Sequence, residues 1–366
     1  MKYKLTDETK VVDNVTLHRI ECVAAFDDVK AGEKGGWIES EKNLSQYGDA
    51  WVSGNAEVYG DAKVSGDAKV SENAWVSENA EVYGDAKVSG DAKVSENAEV
   101  GGTAVVCENA KVGGNAEVYG DAKVSGDAKV SGNAWVSENA KVSGNAKVSG
   151  DAKVDGNAWV GDYATVDGNA TVYGNATVCG NAKVYENAWV GDYATVDGNA
   201  KVYGKARVYG KAKVGWNAWI GDYAKVYENA KVYGKARIGD YATVCENATV
   251  DGNAWIGDYA TVDGKAKVYG KARVYGKAKV GWNAMVSGDS DYIVFKNWWS
   301  SGRYFTWTRS NNKWKVGCFY GSGEELIAKA YKDSAKSGRE YERVVKYVES
   351  ILKEENNDDE YNKGTY

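Results

Sequence analysis

The chain has 366 residues, a net charge of −6 and 43% hydrophobic residues, with no proline, one histidine and two methionines. No apolar run approaches the roughly 20 residues of a membrane span, and the opening MKYKLTDETK lacks the apolar segment of a secretory signal. The five cysteines, Cys22, Cys107, Cys179, Cys245 and Cys318, are odd in number and widely scattered, which argues against a disulfide framework and fits a reducing, cytoplasmic setting.

Residues 1–47 read as short strands, Val15–Ile20, Glu21–Phe26, Val29–Ala31 and Trp37–Ile38, broken by glycine-rich turns, and are expected to form a β cap. From Ala50 to Val286 the pattern changes. Forty times without an insertion, Ala stands two residues before Val or Ile in a unit reading [GE]-[DNK]-A-x-V-x, as in Gly66-Asp67-Ala68-Lys69-Val70-Ser71. A period of six is an array, neither a helix nor a simple strand. In an extended segment Ala and the Val two places on share one side and become core, while the residue between them faces out. The Gly and Asn, Asp or Lys that remain tolerate positive φ and form a corner. Each hexad is therefore one short strand and one corner.

Residues 287–353 predict a separate α+β module. Aromatic strands come first: Tyr292–Trp299, then Tyr304–Arg309 and Lys313–Phe319 about a hairpin at Ser310-Asn311-Asn312. Two helices follow, each predicted to open with a capping box, Ser322 with Glu325 and Ser337 with Glu340. Tyr341, Val344, Val345, Val348, Ile351 and Leu352 line one face of the second. The polar stretch 354–366 reads as a disordered tail.

The repeat resembles the hexapeptide-repeat family over residues 48–286. The resemblance implies an all-β solenoid, a left-handed parallel β-helix of about 13 triangular coils with 18 residues per coil. At ~4.8 Å per stacked strand the prism would be roughly 60 Å long. One departure is consistent: the family usually has Gly right after the aliphatic residue, where Ser, Tyr, Asp or Cys often stands here. The run FDDVKAGEKGGWIESEKNLSQYGDAWV, Phe26 to Val52, resembles the N-terminal module of uncharacterised YdcK-like and prophage hexapeptide-repeat proteins, which implies a phage or prophage source.

Enzymes of the family are mostly acyltransferases, with a histidine base and protruding loops completing a site between prisms of a trimer. The hexads contain no histidine and no insertion; the only histidine, His18, stands in the strand-like VTLHRI. Cys107, Cys179 and Cys245 take the slot after Val with no histidine in the array to activate them. Asp and Glu of the repeats read as exposed corner residues without a pocket. No metal or cofactor site is expected. The sequence thus favours a non-enzymatic rigid scaffold or protein-interaction module. The partner would be a host or phage protein, and exposed charges on all faces favour a monomer over a trimer. An acyltransferase-like enzyme is the alternative.

The aromatic excess of the C-terminal module, Trp298, Trp299, Tyr304, Trp307, Trp314 and Tyr320, is the expected contact surface. A second candidate is a basic patch, Lys205, Arg207, Lys211, Lys271, Arg273 and Lys277, interleaved with tyrosines and suited to nucleic acid. It belongs to residues 167–286, which carry 11 acidic and 16 basic side chains against 19 and 10 in residues 48–166. Ice binding ranks last. Outward strand residues eighteen apart form no threonine ladder and no aromatic stripe, and the duplications Val202–Ala218 to Val268–Ala284 land on different faces.

Overall fold

A computed structural model describes residues 1–363, with side chains as far as Glu355. The chain divides into two compact units, residues 1–228 and 229–366. Each contains coils of parallel β-solenoid.

The first unit opens with a hairpin, β1 (Tyr3–Val12) and β2 (Val15–Cys22), antiparallel to each other. Asp13 and Asn14 turn it with φ of 51° and 65°, the left-handed pair a two-residue hairpin loop requires. The sequence reading missed β1: its polar alternation gave little apolar signal. The expected strands Glu21–Phe26 and Val29–Ala31 are not strands, and the chain there makes an isolated bridge between Phe26 and Val29. β3 (Lys34–Ile38) lies antiparallel to β2 and parallel to the first repeat strands, Trp37 opposite Glu57 and Ile38 opposite Val58. The cap is thus the first rung of the solenoid as well as its cover.

Each hexad then contributes a two-residue strand, the outward residue and its Val, paired in parallel with the residues eighteen on: Lys69 with Lys87, Val70 with Val88. Three such ladders make three faces. Repeat Ala and Val residues are buried, 0% exposed at Ala68, Val70, Val148 and Val190 alike. Backbone N–H groups donate one coil onward, Trp51 N to Ala68 O at 3.0 Å and Ser53 N to Val70 O at 2.8 Å. Corners turn on residues with φ near +65°, such as Gly66 at 67° and Glu72 at 63°. At several corners a carboxylate adds a stitch, Glu72 Oε2 accepting from Gly90 N at 2.6 Å and Glu108 Oε2 from Gly126 N at 2.6 Å.

In the second unit parallel coils of the same repeat end at the strand Met285–Val286 and are closed by a four-stranded antiparallel sheet, Tyr292–Lys296, Tyr304–Thr308, Lys313–Val316 and Phe319–Gly321. A raw parallel edge presents unpaired N–H groups. Here one donor from each face finds a side chain: Arg273 N reaches Asp289 Oδ1 (2.9 Å), Lys279 N reaches Thr306 Oγ1 (2.8 Å), and Met285 N reaches Ser310 Oγ (2.7 Å). Tyr292 OH donates to Arg273 O at 2.8 Å. The expected solenoid class and its two caps describe this architecture.

Two helices pack on the closing sheet. α1 (Gly323–Asp333) has the predicted capping box, Glu325 N donating to Ser322 Oγ and Ser322 N to Glu325 Oε2. α2 (Ala335–Lys363) begins earlier than expected. Ser337 lies inside it, and Ser337 N donates to Ser334 Oγ at 3.1 Å, so Ser334 supplies the cap. Tyr341, Val345 and Val348 of α2 enter a core with Trp299, Phe305, Trp307, Trp314, Leu326 and Ala330. The stretch read as a disordered tail is helical from Glu354 to Lys363, and Glu355 pairs with Arg309 at 2.7 Å; its last three residues lie outside the described residues. No described helix is long and apolar enough to cross a membrane.

Candidate active site

A cleft of about 500 Å³ opens in the second unit between its coils and the closing sheet. Glu246, Asn247, Asp263, Gly264, Lys265, Trp282 and Asn283 line it from the coils, and Lys315 and Cys318 from the sheet. Four of these matter chemically.

Asp263 follows Val262 in the slot usually filled by Ser or Tyr. The ladder fixes its backbone, Asp263 N donating to Val280 O (2.9 Å) and Asp263 O accepting from Ala266 N (3.2 Å). Its carboxylate lies against Gly281, where an added Cβ would collide with Oδ1. Burial pushes its pKa above the usual aspartate value; Lys315 and Lys279 pull the other way, and Glu246 adds to the rise. Desolvation wins because a half-buried carboxylate loses hydration faster than two ammonium groups restore its charge.

Trp282 occupies a corner with φ 56°, a left-handed conformation that bulky residues rarely adopt. Its ring stacks on Tyr320 of the closing sheet at 4.9 Å and 10°. The stack offsets part of the backbone cost, which typically runs to about 1–3 kcal/mol. The same left-handed corner recurs along the array, at Trp216 with φ 61° among others, so it comes from the repeat and the stack on Tyr320 is what is particular to this cleft. Lys315 brings a positive charge and Cys318 an exposed thiol to the same cleft.

The sequence reading passed over these residues because it placed every repeat carboxylate at an exposed corner. That is corrected at Asp263: the slot after Val turns the side chain over the next coil, and Gly281 leaves it room. The order Val-Asp followed eighteen residues later by Val-Gly marks Asp263 but marks Asp197 with Gly215 equally; the closing sheet's Lys315 and Cys318 are what make a cleft at Asp263. His18 stands half-buried in β2 with Nδ1 3.4 Å from Thr6 O, and lines no described cleft.

The proposed aromatic contact surface does not form. Trp299, Trp307 and Trp314 are 8%, 1% and 1% exposed, because the small module needs them as its core. Trp307 Nε1 donates to Asn312 Oδ1 at 2.8 Å. Tyr320 is engaged by Trp282, and Tyr304 is half-buried beneath Lys277. Trp298 alone of the six is mostly exposed, at 71%.

The basic residues do not pool either. In the first unit Lys205 lies 5.2 Å from the Tyr223 ring centre and Arg207 5.2 Å from that of Trp189, each over an aromatic about one coil away, while Lys211 points to solvent. In the second, Lys271 and Arg273 are exposed and Lys277 sits between the rings of Tyr259 and Tyr304. Aromatic columns do exist in slots other than the outward one: Tyr185–Tyr203 and Tyr209–Tyr227 stack at 5.5 and 5.0 Å in the first unit, Tyr241–Tyr259 at 5.0 Å in the second.

No protein-family model matches the chain. A curated relative, the uncharacterised acetyltransferase YdcK of Escherichia coli strain K12, is 37% identical over 59 residues, covering 14% of this chain and 18% of that protein. Among solved structures, a Francisella novicida UDP-N-acetylglucosamine acyltransferase is 17% identical, with a TM-score of 0.26 over 44% of this chain and 62% of its own. LpxA from Acinetobacter baumannii is 15% identical, with a TM-score of 0.23 over 48% and 69%. The match to a relative named an acetyltransferase corrects the reading of a non-enzymatic scaffold. The sequence sets the repeat carboxylates aside as exposed corner residues without a pocket, and Asp263, which lines a cleft, departs from that expectation.

Proposed function

We propose that the chain is an acyltransferase-like hexapeptide-repeat enzyme acting at the Asp263 cleft. The supporting observation is a carboxylate of raised pKa facing a cleft with two ammonium groups beside it. An acceptor amine or hydroxyl attacks the carbonyl of a thioester donor. The new bond forms from nitrogen or oxygen to the carbonyl carbon, and the carbon–sulfur bond breaks. Asp263 takes the acceptor's proton and returns it to the leaving thiolate. A base whose pKa lies closer to the working pH transfers that proton with more driving force. Lys315 stabilises the oxyanion as negative charge develops. Aspartate thus fills the place that histidine holds in the enzymes the repeat resembles.

The test is chromatographic: acetyl-coenzyme A is incubated with a panel of amine- and hydroxyl-bearing acceptors, and loss of donor and gain of acylated product are followed. Wild type should turn over, and Asp263→Asn should slow it by about 100-fold or more, the usual contribution of a general base. His18→Gln should leave the rate unchanged. Absence of turnover with every acceptor, or an Asp263→Asn rate equal to wild type, refutes the reading.

A further inference from the structure

A second cleft, of about 390 Å³, is lined by Lys277, Lys279, Gly302, Arg303, Tyr304 and Gly317. We propose that it binds a phosphate-bearing small molecule, with the phosphate held by Lys277, Lys279 and Arg303. The proposal stands on this geometry and does not depend on acyl transfer.

Three cations line the cleft and no carboxylate does. Among the described residues none of the three joins an ion pair. Asp263, close enough for Lys279 to act on its charge, lines the neighbouring cleft, and Asp258 accepts from Gly276 N at 2.8 Å beside Lys277 without lining this one. Like charges held together repel unless an anion joins them.

The fold, not chance, brings these groups together. Lys279 N donates to Thr306 Oγ1 at 2.8 Å, fixing the last coil against the sheet that carries Arg303 and Tyr304. Lys277 Nζ lies 5.2 Å from the centre of the Tyr304 ring, a cation–π contact that limits where the ammonium can go. Arg303 reaches across to Gly317, where an added Cβ would stand 3.7 Å from its Nη1. A planar guanidinium beside two ammonium groups matches the oxygens of a phosphate, which arginine engages through paired N–H donors. The volume suits a diphosphate or a small phosphorylated molecule. The turn at Gly317 and Cys318 borders both clefts.

The experiment is isothermal titration of the full chain with inorganic diphosphate, then with adenosine diphosphate, at low and at 0.3 M salt. One saturable site per chain that weakens at high salt is expected. Arg303→Gln should weaken it by about 10-fold and Lys277→Gln with Lys279→Gln by about 100-fold, each charge-assisted contact supplying roughly a factor of ten or more. Arg303 and Lys277 are exposed, and the half-buried Lys279 ties to Thr306 through its backbone N–H rather than its side chain, so the variants should melt with wild type. Lys211→Gln, a corner lysine in the same repeat context, should change nothing. No saturable heat with diphosphate overturns the proposal. So does equal weakening by Lys211→Gln, which would mean diffuse charge attraction. Binding of adenosine diphosphate without binding of diphosphate would place recognition on the nucleoside and also overturn it.

Discussion

Truncating Val148 tests whether the solenoid interior is as tightly packed as its ladders require. Val148 is fully buried, with Val130 and Val166 directly above and below it on one face. Val148→Ala removes two methylene equivalents, about 1.6 kcal/mol at the usual transfer value. The hydrogen bond from Ser131 N to Val148 O, 3.0 Å, holds the rung in place, so the vacated space cannot close by sliding coils together. A residual cavity of roughly 50 Å³ at about 24 cal/mol per Å³ adds about 1 kcal/mol. The expected loss is therefore about 2.5 kcal/mol. Equilibrium urea unfolding followed by circular dichroism should show a lower midpoint with an unchanged slope. Val94→Ala, three rungs away on the same face, should add to it within about 0.5 kcal/mol, whereas Val130→Ala should not be additive. A loss under about 0.5 kcal/mol for Val148→Ala would refute the argument: the interior would then be soft enough to collapse around the deletion.

The remaining predictions are briefer. Asp263 has a folded pKa above its unfolded value, so its stabilising contribution is complete below the unfolded pKa and is lost as pH rises through the folded one. Asp263→Asn should therefore raise the melting temperature at neutral pH while lowering acyl transfer, and a lower melting temperature would contradict the burial argument. Glu325 behaves oppositely, its carboxyl held low first by the Ser322 backbone N–H and then by Lys313. Its contribution is present above the unfolded pKa and lost as pH falls through the folded one, so Glu325→Gln should flatten the acid limb of the C-terminal module's melting curve. Trp307→Ala, in the core of that module, should cost about 3–5 kcal/mol in urea unfolding. Gly281→Ala should displace the Asp263 carboxylate and lower turnover with little change in melting, since the colliding atom is a side-chain end rather than backbone.

The repeat announced its own geometry because each hexad states the same rule: Ala68 and Val70 inward, Lys69 outward, Gly66 at the corner. Local signals were enough there, since every contact is a copy of its neighbour. Outside the array they were not. β1 alternates polar residues against β2 and reads as an unstructured start, and only the Asp13-Asn14 pair marks the hairpin. The aromatics of the C-terminal module looked excessive until α1 and α2 covered them. The two clefts were least legible, because Asp263 meets Lys315, and Lys277 meets Arg303, only once the closing sheet has folded onto the last coil.

The stitches made by carboxylates at left-handed corners have a direction. Glu72 accepts from the N–H of Gly90, Glu108 from Gly126 and Asp162 from Gly180, each a group eighteen residues later in the chain, whereas Asp67, one place past its corner, accepts from Asp49 N eighteen residues earlier. Within each unit the loop to be closed for the next rung is the same short one whatever the length already built, so its entropic cost does not grow. Contact order stays low although the array is long, which favours fast, stepwise growth over a search for distant partners. The N-terminal hairpin, with β3 already offering Trp37 and Ile38 as an edge, gives that growth a starting template. A chain emerging from a ribosome could lay down each coil on the last, and hexads gained or lost would change the number of steps without changing any one of them.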